Sequence, residues 1–131
     1  MGGAGIDRQQ LGQQAEDAAL AHLQEQGLRL LARNARYPFG EVDLILRDGA
    51  TVVFTEVRFR RGALFGGAAA SVDAAKRRKL VRASQAWLKS HRELAQAACR
   101  FDVVAVTPAG ARDGTLQCDW IRAAFTLDDL W

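Results

Sequence analysis

The sequence predicts an α/β protein in which a mixed β-sheet is flanked by helices. Three observations support this prediction. The chain has 131 residues, which is the size of one ordinary domain, so residues 1–131 are expected to form a single unit. Hydrophobic residues make up 49% of the chain, enough for one core. Helical and strand-like patterns follow one another in the order α-β-β-β-α-β-β, which is typical of helices packed on a mixed sheet.

The first element is a helix predicted over Asp7–Gln26, after a loose tail at residues 1–6. Asp7 is the predicted N-cap, and Gly27 stands where a glycine commonly ends a helix. The apolar residues recur at steps of three and four, as on one helix face: Leu11, Ala15, Ala18, Ala19 and Leu23.

Three strands follow the helix. A short strand is predicted over Leu28–Arg33, and Asn34–Gly40 is predicted to be a loop because it contains proline and glycine. Glu41–Arg47 is predicted to be a strand, and Thr51–Phe59, which is rich in Val, Phe and Thr, is predicted to pair with it as a hairpin. Asp48-Gly49 is the predicted turn between them.

The second half of the chain begins with an irregular, glycine-rich segment over Arg60–Ala70. A helix is predicted from an N-cap at Ser71 to about His91. Arg100–Val106 is predicted to be a strand, Pro108–Gly114 a loop, and Leu116–Phe125 the last strand. Thr126–Trp131 is expected to be a short tail.

The hairpin strands carry carboxylates, Asp43 and Glu56, where a buried strand should have none. A buried carboxylate needs a partner, a metal or a cleft. With a two-residue loop, Glu56 lies diagonally across from Asp43, and with a four-residue loop it lies directly opposite. Either loop puts both carboxylates on one face, which Glu41 and Arg58 would share, whereas a three-residue loop puts them on opposite faces.

Two neighbouring carboxylates repel each other unless one takes a proton or both bind a cation. Oxygen ligands of this kind suit Mg²⁺ or Mn²⁺, which can polarise a phosphoryl oxygen and lower the pKa of a bound water. Spacing alone leaves an alternative open, in which the carboxylates lie at an exposed sheet edge and pair with arginines.

Glu16 shares a stripe of the first helix with Leu20 and Leu23. This position indicates that its carboxylate faces inward or borders a cleft, and a solvated helix carboxylate is the alternative.

Basic residues cluster in two places, at Arg58–Arg61 and at Lys76–Lys79. Lys76 and Lys79 lie three residues apart and therefore share one side of the predicted helix. Such clusters bind a phosphate backbone without reading its sequence, although a solvated surface is the alternative. Phe59 and Phe65 could contact bases, but core packing is the favoured role for both.

Several functional classes are disfavoured. The two cysteines, Cys99 and Cys118, do not form a CxxC pair, so a structural zinc site is not expected. We find no signal peptide and no apolar run near the length of a membrane span, and therefore expect a reduced, cytoplasmic protein. Phosphate-loop and dinucleotide motifs are missing from the sequence. No serine belongs to a recognisable Ser-His-Asp arrangement of the kind used in nucleophilic catalysis.

These motifs together resemble a known family. They are Leu11-Gly12-x-x-Ala15-Glu16-x-x-Ala19, Asn34, Arg36, Gly40-Glu41-Val42-Asp43-Leu44-Ile45, Val53-Phe54-Thr55-Glu56-Val57-Arg58, Arg60, Phe65-Gly66, Lys76, Lys79 and Arg100-Phe101-Asp102-Val103-Val104. Over roughly residues 8–107, the chain resembles the bacterial YraN-like proteins, a family with a restriction-endonuclease-like fold. It is similar, more distantly, to archaeal Holliday-junction resolvases.

The resemblance implies a PD-(D/E)xK nuclease site on a restriction-endonuclease-like fold. Asp43 takes the place of the first acid of the motif and Glu56 the second. Arg58 stands where the motif has lysine, and its guanidinium is expected to stabilise charge in the transition state. Glu16 matches the helical acid that completes the metal site in resolvase-like members. Glu16, Asp43 and Glu56 are therefore the expected ligands of Mg²⁺ or Mn²⁺.

The expected function is that of a metal-dependent nuclease acting on structured or branched DNA. Arg60, Arg61, Lys76 and Lys79 are expected to bind the nucleic acid. The alternative is a non-catalytic nucleic-acid-binding module with a degenerate site, and a protein-interaction subunit is a third hypothesis. No membrane association is expected, and a homodimer stays open.

Overall fold

The computed structural model describes residues 8–60, 72–109 and 114–126. These residues form two α-helices, a short 3₁₀ helix and five strands, which follow the predicted order. The elements are α1 (Arg8–Glu25), β1 (Arg29–Tyr37), β2 (Gly40–Asp48), β3 (Thr51–Phe59), α2 (Ala74–Lys89), the 3₁₀ helix (Arg92–Leu94), β4 (Cys99–Pro108) and β5 (Leu116–Phe125). The predicted tail at residues 1–6, the predicted N-cap Asp7 and Phe65 lie outside the described residues.

The strands form one sheet in the order β1-β2-β3-β4-β5. All neighbouring strands are antiparallel except β3 and β4, which are parallel. A parallel pair needs a long crossover connection, and α2 lies in the segment that supplies it. Residues that alternate along β3 belong to two separate cores, with Phe54 on the side of α2 and Val53 on the side of α1. The prediction of a mixed sheet flanked by helices is therefore confirmed.

The two cores differ in composition. The α2 side is aromatic: the ring of Phe54 lies 5.8 Å from that of Phe101 and 6.1 Å from that of Trp87. On the α1 side, Ala15 and Ala19 are buried against aliphatic side chains of the sheet. Small residues at these positions let the helix lie close to the strands. Trp87 is buried in the α2-side core.

Strand β1 is longer than predicted. It continues through the predicted loop Asn34–Gly40 as far as Tyr37, which pairs with Gly40. The turn therefore contains only Pro38 and Phe39. In the middle of this strand, Asn34 has φ 51°, a left-handed conformation that asparagine tolerates better than most residues. The proline and glycine of this segment predicted a loop, but they mark only its end, and the residues before Pro38 pair with β2.

Helix α2 begins later than predicted, because the N-cap is Asp73. Its carboxylate accepts a hydrogen bond of 2.9 Å from the backbone N–H of Lys76. The predicted cap Ser71 lies outside the described residues. Aspartate and serine are comparable N-caps, so sequence preference alone does not separate them. At the end of α1, Gly27 has φ 95° as predicted for a terminal glycine, and Leu28 N–H bonds to Leu23 O.

The β2–β3 turn lies one residue later than predicted. Asp48 pairs with Thr51, so Gly49 and Ala50 form the turn. The resulting register runs to the pair of Leu44 and Thr55. This is the register that the sequence analysis expected for a four-residue loop. If it continues by one residue beyond Leu44 and Thr55, Asp43 lies directly opposite Glu56.

A bulge interrupts the pairing of β4 with β5 at Asp102, where β5 has residues 122–124 opposite this single residue. Opposite it, Ala123 has φ 47°, a left-handed conformation that is unfavourable for alanine. Asp102 is fully buried, and its Oδ1 accepts a hydrogen bond of 2.9 Å from Ala123 N–H. The carboxylate thus stabilises an irregular backbone that the strand pattern does not predict.

Helix α2 packs directly on the backbone at the start of β2. A Cβ atom built on Gly40 would lie 2.6 Å from the carbonyl oxygen of Lys79. We expect Gly40→Ala to displace α2 and lower the free energy of unfolding by about 1–3 kcal/mol, as other overpacking changes do. The measurement is urea-induced unfolding followed by circular dichroism.

Gly12→Ala is the matched control, because a Cβ at this α1 position meets no atom within 4 Å. It should stabilise the protein by about 0.5–1 kcal/mol, since alanine favours the helix. Equal effects of the two substitutions would show that the close approach at Gly40 is unimportant.

Candidate functional site

A pocket of about 740 Å³ lies between α2 and the β1–β2 hairpin. Three acidic residues and five basic residues take part in its lining, so carboxylates and cations meet in one place. The lining residues are Arg36, Tyr37, Pro38, Phe39, Gly40, Glu41, Asp43, Glu56, Arg58, Lys76, Lys79, Leu80 and Arg82. Asp43, Glu56 and Arg58, which the sequence analysis singled out, are all among them.

Alternation along β2 from Ile45 places Asp43 on the α2 side of the sheet, and the strand departs from this alternation at Val42. Val42 and Ile45 both lie in the α2-side core, whereas Leu44 lies in the α1-side core. Strict alternation would have placed Val42 with Leu44. The Asp43 carboxylate accepts a 2.8 Å hydrogen bond from the backbone N–H of Val57. The side chain is therefore anchored to β3.

Asp43 and Glu56 form a coupled carboxyl pair. Burial, followed by the negative charge of Glu56, raises the pKa of Asp43 to about 8. Burial also raises the pKa of Glu56, whose carboxyl is hydrogen-bonded to that of Asp43. At neutral pH the pair therefore retains a proton, as expected for close carboxylates without a cation between them.

Two cations lie beside this pair. Arg58 Nη1 is 3.5 Å from Glu56 Oε2, a contact between two partly buried side chains. The charges of Arg58 and of Lys76, which comes from α2, both act to lower the pKa of Glu56. The pair thus has one positive neighbour from the sheet and one from the helix.

Glu16 lies on α1, which packs on the face of the sheet opposite α2. Its carboxylate forms an ion pair with Arg33 at 3.4 Å, and Arg33 also contacts Asp17 at 2.9 Å. The charge of Glu16 still contributes to raising the pKa of Asp43. Within the described residues, no three acidic, His or Cys side chains form a metal-binding cluster. The structure thus brings Asp43 and Glu56 together and holds Glu16 in a separate ion pair.

The four residues expected to bind nucleic acid have different positions. Lys76 and Lys79 line the pocket from α2. Arg60 follows the end of β3, where its backbone N–H bonds to Val106 O, and it is outside the pocket lining. Arg61 lies outside the described residues.

Sequence reasoning missed the aromatic rim of the pocket. The rings of Tyr37 and Phe39 stack at 5.6 Å, and the guanidinium of Arg82 lies 4.9 Å from the Phe39 centroid. The Tyr-Pro-Phe-Gly segment could have indicated an aromatic turn, and Arg82 follows Lys79 by three positions on the same helix side. Phe59 instead packs against the α1-side core, as favoured from the sequence.

A family model described as "Uncharacterised protein family UPF0102" matches residues 15–106. The chain belongs to the UPF0102 family. A UPF0102 protein of Xanthomonas campestris pv. campestris strain B100 is 56% identical over 122 residues, which cover 93% of this chain and 96% of the relative. A UPF0102 protein of Stutzerimonas stutzeri strain A1501 is 50% identical over 120 residues, covering 91% and 97%. Another, from Pseudomonas fluorescens, is 48% identical over 117 residues, covering 89% and 94%.

The UPF0102 match extends from α1 to β4 and therefore contains every described residue that carries charge into the pocket. In chemical terms, the pocket combines buried oxygen donors with surrounding cations. Oxygen donors suit a hard divalent cation, and the surrounding cations suit phosphate. Among the described residues of this UPF0102 chain, no helix has the length and apolar character needed to cross a membrane.

Proposed function

We propose that this protein is a metal-dependent nuclease of restriction-endonuclease-like fold that acts on structured or branched DNA. One observation carries the proposal. Asp43 and Glu56, from adjacent strands, meet in a pocket that is also lined by Arg36, Arg58, Lys76, Lys79 and Arg82. A carboxylate pair among cations is the combination needed to hold a divalent ion beside a phosphodiester.

The donor set fits Mg²⁺ or Mn²⁺. Asp43 and Glu56 are hard oxygen ligands, and their hydrogen-bonded carboxyls share a proton that a divalent cation would replace. These two residues would hold the ion, with Glu16 as the third ligand proposed from the family resemblance. When bound, the ion would polarise a phosphoryl oxygen and lower the pKa of a water molecule.

The basic rim supports nucleic acid as the substrate. Lys76 and Lys79 are exposed side chains on one side of α2, and both line the same pocket as the acids. Contacts of this kind neutralise backbone phosphates, so binding weakens steeply with salt and depends little on sequence. The choice of branched DNA rests on the resemblance to junction resolvases.

Cleavage is expected to require Mg²⁺ or Mn²⁺ and to depend on Glu56. Glu56→Gln removes one negative oxygen donor while keeping the side-chain shape, so we expect cleavage to fall by at least about 10³-fold, comparable to the loss of a major catalytic group. The measurement is single-turnover cleavage of linear, flapped and four-way-junction DNA with each metal.

Glu41→Gln is the matched control, because Glu41 lines the pocket but is half-exposed and paired with Arg36 at 3.2 Å. It should retain most of the activity. Cleavage that persists unchanged in the Asp43→Asn, Glu56→Gln double variant would show that the chemistry lies elsewhere.

The competing function is a non-catalytic nucleic-acid-binding module. It is favoured by Arg58 at the motif's lysine position and by the ion pair of Glu16 with Arg33. Salt-dependent DNA binding without cleavage in either metal would identify this function. Calorimetry with Mn²⁺ adds a second readout, since a degenerate site should not bind the ion through Asp43 and Glu56.

A further inference from the structure

Lys76 occupies an unusual place for a lysine. It lies in the first turn of α2, where the helix dipole disfavours a positive charge. Helix stability therefore does not explain the residue. Its backbone N–H is bound by the N-cap Asp73 at 2.9 Å, which fixes where the side chain leaves the helix. That side chain is exposed, lines the pocket and has no ion-pair partner among the described residues.

The other cations near the carboxyl pair are engaged differently. Arg58 contacts Glu56 at 3.5 Å and carries a guanidinium that stays protonated in proteins. Arg77, next to Lys76, donates from Nε to Val72 O at 2.7 Å and lies over the Phe125 ring. Lys79 lines the pocket one turn further along α2. Lys76 and Lys79 both line the pocket without an ion-pair partner among the described residues, and Lys76 is the one of the two whose charge acts on Glu56.

We propose that Lys76 is a catalytic residue, and that its amine, delivered from α2, takes the place of the lysine missing from β3. The inference rests on the proposed nuclease function. In the reaction, the oxygen of a water forms a bond to phosphorus and the bond from phosphorus to the leaving sugar oxygen breaks. The attacking water loses one proton to solvent and the leaving oxygen takes one up. Lys76 hydrogen-bonds to the non-bridging phosphate oxygen on which negative charge increases.

The test compares Lys76→Ala with Lys79→Ala, since both residues are exposed pocket lysines on the same helix side. Each is measured for DNA affinity and for the single-turnover cleavage rate at saturating protein with Mg²⁺. Both variants should lose affinity by a similar, small factor. Lys76→Ala should also reduce the rate by about 100-fold or more, as removal of a transition-state donor does, and this loss should exceed that of Lys79→Ala at least tenfold. Lys76→Gln repeats the comparison with a polar side chain of similar length.

A rescue experiment separates catalysis from general electrostatics. Arg58→Lys should restore the β3 lysine. The Arg58→Lys, Lys76→Ala double variant should therefore cleave DNA at least tenfold faster than Lys76→Ala alone. The Arg58→Lys, Lys79→Ala variant should show no such gain over Lys79→Ala. If Lys76→Ala loses rate and the Arg58→Lys, Lys76→Ala double variant does not regain it, the claim that a lysine at position 76 replaces one at position 58 is overturned.

The outcomes also distinguish this inference from the proposed function. If the wild-type protein cleaves DNA and the two alanine variants lose rate equally, the role of Lys76 is wrong and the nuclease function stands. If the wild-type protein binds DNA but does not cleave it with either metal, both proposals fall.

Discussion

Asp43→Asn should make the metal-free protein more stable than the wild type, by a margin that grows as pH rises, and should abolish cleavage. In the folded protein, burial and the charge of Glu56 raise the pKa of Asp43 from its ordinary value of 3.8 to about 8. The folded state therefore favours the neutral carboxyl, and asparagine is neutral at every pH. Its oxygen can still accept the hydrogen bond from Val57 N–H.

The direction of the pH effect follows from proton uptake on folding. Below the pKa that Asp43 has in the unfolded chain, both the folded and the unfolded state bind the proton, and Asp43 imposes no penalty on folding. Between that value and about 8, only the folded state keeps the proton, so stability falls as pH rises. The slope is about 1.4 kcal/mol per pH unit for one proton. Asp43→Asn should remove this slope and exceed the wild type by about 2 kcal/mol or more at pH 8.

The measurement is urea unfolding between pH 4 and pH 9 in the presence of a chelator. Glu41→Gln serves as the control, because its side chain is 50% exposed and should change stability by less than about 1 kcal/mol. With Mn²⁺ added, the wild type should gain stability and Asp43→Asn should not. Parallel pH profiles for wild type and Asp43→Asn would contradict the raised pKa of this carboxyl.

Asp102→Ala should have the opposite effect and destabilise the fold by about 3–5 kcal/mol, as loss of one partner of a buried ion pair does. Asp102 is fully buried, and its carboxylate accepts hydrogen bonds from three residues. Arg100 Nε lies 3.0 Å from Oδ1, Trp120 Nε1 lies 2.9 Å from Oδ2, and Ala123 N–H binds Oδ1. Truncation leaves these donors without the carboxylate and removes the support of the bulge at Ala123.

Asp102→Asn should also destabilise the protein, because both oxygens accept hydrogen bonds and an amide would turn its NH₂ group toward a donor. The matched control is Asp119→Asn, an exposed residue of β5 that should change stability by less than about 0.5 kcal/mol. The readout is the urea midpoint at pH 7. An Asp102→Ala protein as stable as the wild type would refute the structural role of this carboxylate.

The two aspartates show how much of the site could be predicted from the sequence. Both interrupt apolar strands, so each is recognisable as a buried carboxylate that needs a partner. The pattern placed Glu56 near Asp43 for either even loop, but it does not reveal that Asp102 is surrounded by donors. Two of these donors, Trp120 and Ala123, come from β5, and their positions depend on the irregular pairing of β4 with β5.

Residue periodicity by itself predicted the element order and a mixed sheet flanked by helices, and for either even loop it predicted Asp43 near Glu56. Short-range patterns encode these features because side chains alternate along a strand and repeat every three to four residues along a helix. Tertiary structure alone decided that Lys76 and Glu56 line the same pocket. It also decided that Glu16, on the α1 side of the sheet, forms an ion pair with Arg33. It also extended β1 through Asn34 and moved the α2 cap to Asp73. These outcomes depend on how closely helices pack against the sheet, as at Gly40, and that distance is set by contacts between residues far apart in the chain.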